Sequence, residues 1–153
     1  MADAFDLKIL AKLQENSVLS PEVISESAGL SSASCYRRIK KLESEGYIKA
    51  RRTVLDEKKL GFQVTAMFMI KLAQDSMDID KRMKKICDSH PEIVQCYLVS
   101  NDYDFVMIGK FREAQDYTEY LYNFLQIFAD IPILNYSSSL VVKTICDHNL
   151  LPL

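Results

Sequence analysis

The chain has 153 residues, 48% hydrophobic and 26% charged, with four Gly and four Pro. That is enough for one sizeable core or two units of about 60 and 90 residues, and it excludes a disordered, collagen-like or low-complexity chain. The formal net charge of -2 excludes a generally polybasic protein. No apolar run reaches the roughly 18–20 residues of a membrane span, and Asp3 and Asp6 stand where a signal peptide is basic and then apolar, which points to the cytoplasm and away from the membrane.

Charge is unevenly placed along the chain. Residues 1–60 hold 11 Lys and Arg against 9 Asp and Glu, whereas residues 61–153 hold 8 against 12. Between Ser32 and Arg52, seven cations (Arg37, Arg38, Lys40, Lys41, Lys49, Arg51 and Arg52) meet only Glu43 and Glu45, a local excess of +5. The four cysteines, Cys35, Cys87, Cys96 and Cys146, lie 52, 9 and 50 positions apart without a C-x-x-C pair, and the imidazoles are His90 and His148, so no metal site is expected. All four thiols fall in apolar runs, where free Cys behaves as a small buried hydrophobe.

In the first sixty residues the spacing predicts three short helices. Asp3 precedes the periodic apolar set Ile9, Leu10 and Leu13 as an N-cap, Asp6 favours the positive helix end, and the helix runs to about Glu15. Ser20-Pro21 opens a second helix with Val23, Ile24 and Ala28 on its apolar face, and Gly29 closes it. Ala28-Gly29-Leu30-Ser31 then combines a C-terminal Gly, an apolar residue beneath the turn and a cap for the next helix, which is the turn of a helix-turn-helix.

On the third helix Cys35, Ile39 and Leu42 share the inward face, while Ala33, Ser34, Arg37, Lys40, Lys41 and Ser44 point away. Small residues in the first turn, Ser32 and Ser34 among them, admit a base-pair edge, and an Arg one turn later reaches guanine or a phosphate. A basic face on an isolated helix is usually only solvated; the turn in front of this one makes it a recognition helix. Gly46 ends the helix, Tyr47 to Leu55 read as a strand whose Lys49, Arg51 and Arg52 hold backbone phosphates, and Asp56 to Gly61 form a linker.

The remainder reads as β-α-β-β-α-β, so the expected class is α+β: a helix-turn-helix domain over residues 1–60 and a ferredoxin-like domain over 61–153. Phe62 to Leu72 alternate, with Val64, Ala66, Phe68, Ile70 and Leu72 on one face; Ile79, Met83 and Ile86 make residues 78–89 an amphipathic helix. Ile93 to Val99 and Phe105 to Phe111 form a hairpin about Ser100-Asn101-Asp102-Tyr103-Asp104. Tyr117, Tyr120, Leu121, Phe124, Leu125 and Phe128 line one helix face as core, and Ser139 to Ile145 supply the fourth strand. Val94, Cys96 and Leu98 alternate with Ile93, Tyr97 and Val99, so both sheet faces carry apolar side chains and the open one suits a second copy of the chain.

This arrangement resembles the Lrp/AsnC, or feast/famine, family of transcriptional regulators over nearly the whole chain. The resemblance is carried by Asp3-x-x-Asp6-x-x-Ile9-Leu10-x-x-Leu13, by Gly29-Leu30-Ser31, by Cys35-Tyr36-Arg37-Arg38-Ile39-Lys40-Lys41-Leu42-Glu43, by Gly46-Tyr47-Ile48, by Pro91-Glu92-Ile93, and by Cys96-Tyr97-Leu98-Val99-Ser100-Asn101-Asp102-Tyr103-Asp104. It implies a DNA-binding regulator whose C-terminal domains dimerise through their sheets and assemble further, commonly to octamers, with an amino-acid effector held between dimers at the hairpin loop. The effector residues it implies are Ser100, Asn101, Asp102 and Asp104, with Ser138 and Ser139 near the last strand. Asn101 stands where the family's Val-x-Gly-x-x-Asp loop has Gly; Asn tolerates a left-handed backbone but fills space that Gly leaves open.

The function expected is therefore sequence-specific binding of double-stranded DNA at the nucleoid, with Ser34 and Arg37 reading bases, Arg38, Lys40, Lys41, Lys49, Arg51 and Arg52 holding phosphates, and no cofactor. Two alternatives are an assembly partner of a related regulator with weak DNA affinity, and an enzyme akin to the tetrapyrrole decarboxylases that resemble this family. The enzyme reading is weakened by a second domain with only His90, His148, Arg82 and Arg112 to serve such chemistry. Redox sensing through Cys35, on the inner face of the recognition helix, requires a thiol that burial leaves reactive.

Overall fold

The computed structural model describes residues 1–74, 76–100, 102–147 and 150–153; Asn101, expected in the effector loop, and His148 lie outside the described residues. Two compact units result, residues 1–54 together with 146–153, and residues 55–145, compared with the expected 1–60 and 61–153. The chain end falls with the first unit because the Gln14 amide pairs with the Leu151 backbone, donating to its carbonyl at 2.8 Å and accepting its N–H at 2.9 Å.

The first unit is three helices, α1 (Ala4–Glu15), α2 (Pro21–Ala28) and α3 (Ser32–Ser44). Asp3 caps α1 in a reciprocal box: its carboxylate accepts the Phe5 and Asp6 N–H groups at 2.9 Å, and the Asp6 carboxylate accepts the Asp3 N–H at 3.1 Å. Gly29 ends α2 with φ 71°, a left-handed backbone open to Gly at no steric cost, and the Leu30 N–H returns to the Ser25 carbonyl at 3.0 Å. Ser31 caps α3. Ile9, Leu13, Ile24, Ala28, Cys35, Ile39 and Leu42 form the core between the helices. Val23, expected on the buried face of α2, is exposed, since in a two-turn helix Ile24 and Ala28, four apart, take the inward positions.

Residues 47–55 form no strand, a correction to the sequence reading: no strand among the described residues pairs with them, and a strand exists only as part of a ladder. The second unit is a four-stranded antiparallel sheet of β1 (Val64–Leu72), β2 (Ile93–Leu98), β3 (Phe105–Phe111) and β4 (Ile133–Leu140) in the order β2-β3-β1-β4. The helices α4 (Ile79–Ser89), α5 (Ala114–Tyr122) and α6 (Phe124–Ile127) complete the ferredoxin-like fold. Ala66, Phe68, Ile70, Met107 and Phe111 meet Met83, Ile86, Tyr120, Phe124 and Phe128 in one core.

Three details differ from expectation. The last strand is Ile133–Leu140 and not Ser139 to Ile145; its final hydrogen bond runs from the Val141 N–H to the Thr65 carbonyl at 2.9 Å, beyond which β1 offers no partner, and Val142 and Ile145 are exposed. The aromatic helix breaks at Asn123 into α5 and α6, which leaves Leu125 exposed. A bulge at Val94 sets Ile93 opposite Gly109 but Gln95 opposite Ile108, so Ile93, Cys96 and Leu98 face the helices together, where strict alternation had separated Ile93 from Cys96. No helix among the described residues is long and apolar enough to cross a membrane.

Candidate nucleic-acid interface and effector cleft

Burial of Cys35, Ile39 and Leu42 turns the opposite face of α3 outward, as its periodicity requires. Along that face Ser34, Arg37 and Lys41 line one shallow concavity with Asp3 and Arg38. Arg37, Lys49 and Arg52 are exposed and have no ion-pair partner among the described residues. Lys41 is loosely held, 3.7 Å from Glu45 with both side chains well exposed.

The other expected phosphate ligands are engaged within the unit. The Arg38 guanidinium sits 2.7 Å from both Asp3 and Asp6, and Asp6 is buried. The Asp3 carboxyl is held below its ordinary range first by the Asp6 N–H and then by Arg38. Arg38 thus locks α3 to the cap of α1. Its position was legible, since residue 38 lies three after buried Cys35 and four before buried Leu42, on the flank of the inward face. Glu43 holds both Lys40, at 2.9 Å, and Arg51, at 3.0 Å, and Arg51 also donates to the Ser17 carbonyl. The Ser32 hydroxyl lies 3.3 Å from that of Ser25 and so turns toward α2. Cys35 is wholly buried, and burial, then Glu22, push its thiol up, which removes the basis for redox sensing there.

In the second unit the hairpin between β2 and β3 is tied to β1 through Asp104. Its carboxylate accepts the Leu72 N–H at 2.7 Å and lies 3.3 Å from the Lys71 ammonium, while its own N–H donates to the Ile70 carbonyl at 2.8 Å. The Leu72 N–H first, and then Lys71, hold the Asp104 carboxyl below its ordinary 3.8. Beside it opens a cleft of about 560 Å³ whose polar side chains include Lys71, Gln74, Asp80 and Asp104. Ser100 and Asp102 are exposed in the turn and do not line it. Ser138 faces the helices, its hydroxyl 3.0 Å from that of Tyr117, and Ser139 points to the other side, so neither joins Asp104. Sequence reasoning missed Lys71 and Asp80; the signal for Lys71 was a single cation ending an apolar strand.

Among the described residues no group of three or more His, Cys, Asp or Glu is placed to hold a metal ion. Residues 3–49 match the winged helix-turn-helix DNA-binding family, and residues 65–151, more than half of the chain, match the Lrp/AsnC ligand binding domain. The chain belongs to the Lrp/AsnC family. Two relatives illustrate the range. The glutamate uptake regulatory protein of Zymomonas mobilis is 35% identical over 115 residues, 75% of this chain and 70% of that protein. The transcriptional regulator AzlB of Bacillus subtilis is 29% identical over 144 residues, 94% and 90% of the two chains. The crystal structure of an AsnC family regulator from Agrobacterium tumefaciens superposes with a TM-score of 0.88 at 32% identity, covering 99% of this chain and 97% of that one. A Neisseria meningitidis transcriptional regulator in complex with L-Met has the same fold, with a TM-score of 0.88 at 24% identity and the same coverage.

As an Lrp/AsnC member the chain is a DNA-binding transcriptional regulator and not an enzyme, so the decarboxylase alternative falls away. Within this Lrp/AsnC ligand-binding unit the Asp104 tether makes stability pH-dependent. A lowered carboxyl pKa contributes stability above its ordinary value that is lost as pH falls through the folded-state value. Asp104→Asn is expected to cost about 1–2 kcal/mol at pH 7, the worth of a charged hydrogen bond, and the difference should shrink as pH falls below the ordinary carboxyl value of 3.8 and Asp104 is protonated. Urea unfolding of both proteins at pH 7 and in acid checks this; a gap that does not change with pH contradicts it.

Proposed function

We propose that this Lrp/AsnC regulator reads an operator in double-stranded DNA with Ser34 and Arg37 of α3, while Lys41, Lys49 and Arg52 hold phosphates. The observation that carries the reading is an outward α3 face on which Arg37 is exposed and has no ion-pair partner among the described residues, while the inward face is fully buried. Arg38 acts as the clamp behind that face; Lys40 and Arg51 reach phosphate only by leaving Glu43, so they contribute less. Ser32 supports the turn. Such a regulator works in the cytoplasm, at the nucleoid.

The regulator is modulated by an amino-acid effector bound in the cleft beside Asp104. Lys71 suits a carboxylate, and Asp80 with Asp104 suits an ammonium, which together select a zwitterion. The L-Met complex of the Neisseria regulator supports that chemical class. Ser100 and Asp102 join the site only if a neighbouring subunit brings the turn against its ligand. A homodimer forms through the open sheet face, where Met67, Met69, Val106 and Ile108 are half-buried and Tyr97 is exposed, and dimers assemble further toward the family's octamer.

Titration calorimetry with each amino acid tests the effector, with sedimentation run beside it for assembly. At least one amino acid should bind, and Lys71→Ala should weaken it by tenfold or more while Ser138→Ala leaves it unchanged. No binding by any of them, or equal binding to Lys71→Ala, contradicts the cleft.

A further inference from the structure

We propose that Cys87 and Cys96 form a dithiol redox site that hydroperoxides convert to an intramolecular disulfide. The pair is built by two separate features of the fold. On α4, Cys87 follows buried Met83 by four residues and so stands on the flank of the helix that packs against the sheet. On β2, the bulge at Val94 turns Cys96 to that same side, opposite buried Met107. Without the bulge the Cys96 thiol would face away from the helices.

Both thiols are half-buried, pack against the same core, and open into one surface cleft of about 250 Å³ together with Lys84 and Leu98. A small oxidant therefore has access to them. The neighbouring Cys96 is the largest influence lowering Cys87, with Lys84 adding to the effect and burial and Asp88 opposing it, while Cys87 and burial push Cys96 up. Lys84, one turn before Cys87 on α4 and lining the same cleft, favours a thiolate at Cys87, which makes Cys87 the nucleophile and Cys96 the resolving thiol. The other two cysteines lack this arrangement: Cys35 is wholly buried, and Cys146 is exposed with no thiol beside it among the described residues.

In the first step the Cys87 thiolate attacks the terminal oxygen of the hydroperoxide. The O–O bond breaks, the alkoxide leaves and takes a proton as an alcohol, and the sulfur is oxidised to a sulfenic acid. In the second, the Cys96 sulfur attacks that sulfur, the S–O bond breaks, and water leaves with the proton from Cys96. Two thiols and one hydroperoxide thus give one disulfide, one alcohol and one water. The product staples α4 to β2 directly before the hairpin that carries Asp104. The inference does not depend on the effector reading.

Hydrogen peroxide at a few equivalents tests it on the full chain, followed by N-ethylmaleimide, trypsin without reduction, and mass spectrometry. Cleavage after Lys85 and Lys110 leaves both cysteines in one peptide, 86–110. That peptide should become lighter by two hydrogens and carry no maleimide, in the native chain and equally in a Cys35→Ser, Cys146→Ser double variant. Cys87→Ser should slow loss of the remaining thiol by about tenfold. The proposal is overturned if the peptide carries two maleimides at a dose that consumes Cys146. It is equally overturned by a bridge to another cysteine or chain, or by a sulfinic acid on Cys87 beside a labelled Cys96.

Discussion

Replacing Arg37 and Lys41 together by Ala is expected to weaken binding of an operator by roughly 100-fold, since an arginine on a base edge is worth about 1–3 kcal/mol and a lost phosphate contact adds to it. The slope of log affinity against log salt should flatten by about one unit for each phosphate contact removed. Both side chains are exposed on α3 and neither anchors the fold, so the melting temperature should not move. Arg38→Ala makes the informative contrast. It frees the buried Asp6 carboxylate from its cation, so any loss of DNA binding should come with a lower melting temperature of the first unit. An Arg37, Lys41 variant with unchanged affinity and salt slope would remove α3 from the interface.

The largest effect on stability is expected from Phe124→Ala, at about 3–5 kcal/mol. Phe124 is wholly buried at the start of α6, stacked on Tyr136 at 4.6 Å and Phe68 at 5.4 Å and tilted against Phe128 at 4.6 Å, so it joins β1, β4 and the helix layer at one point. Its neighbour Leu125 is exposed, and Leu125→Ala should change stability by no more than about 0.5 kcal/mol. Urea unfolding followed by tyrosine fluorescence separates the two, and equal losses would mean that the break at Asn123 is misplaced.

That pair of neighbours also marks the limit of what periodicity alone conveys. Local signals were legible: Asp3 and Asp6 around the first helical turn, Pro21 inside a helix and Gly29 after it, and the alternation of Val64 to Leu72 each act within a few residues of themselves. Features that depend on a distant partner were not. Leu140 to Ile145 is the more apolar stretch, yet the strand lies at Ile133–Leu140 because β1 offers its hydrogen bonds only there. Tyr47 to Leu55 has strand composition but no strand to pair with among the described residues, and the bulge at Val94, set by pairing with β3, reverses half of β2.

The site followed the same division. The outward face of α3 came from helical spacing, but which cations stay available depended on carboxylates from three residues away, Glu43 for Lys40, to 35 residues away, Asp3 for Arg38. At the hairpin, Asp104 was legible as a loop carboxylate, whereas Lys71 and Asp80 reach its cleft from β1 and α4. Ser138 and Ser139 share a strand and point to opposite sides of the sheet, which adjacency in sequence does not convey.

The most direct measurement is to incubate the purified protein with fragmented genomic DNA from its own source at near-physiological salt, with and without a pooled amino-acid mixture, and to sequence what is retained. Discrete enriched sites are expected from the native chain and should disappear from the Arg37, Lys41 double variant, with the mixture changing which native sites survive or how they are spaced. Retention without enrichment, or the same sites from both proteins, would contradict recognition of DNA sequence by α3.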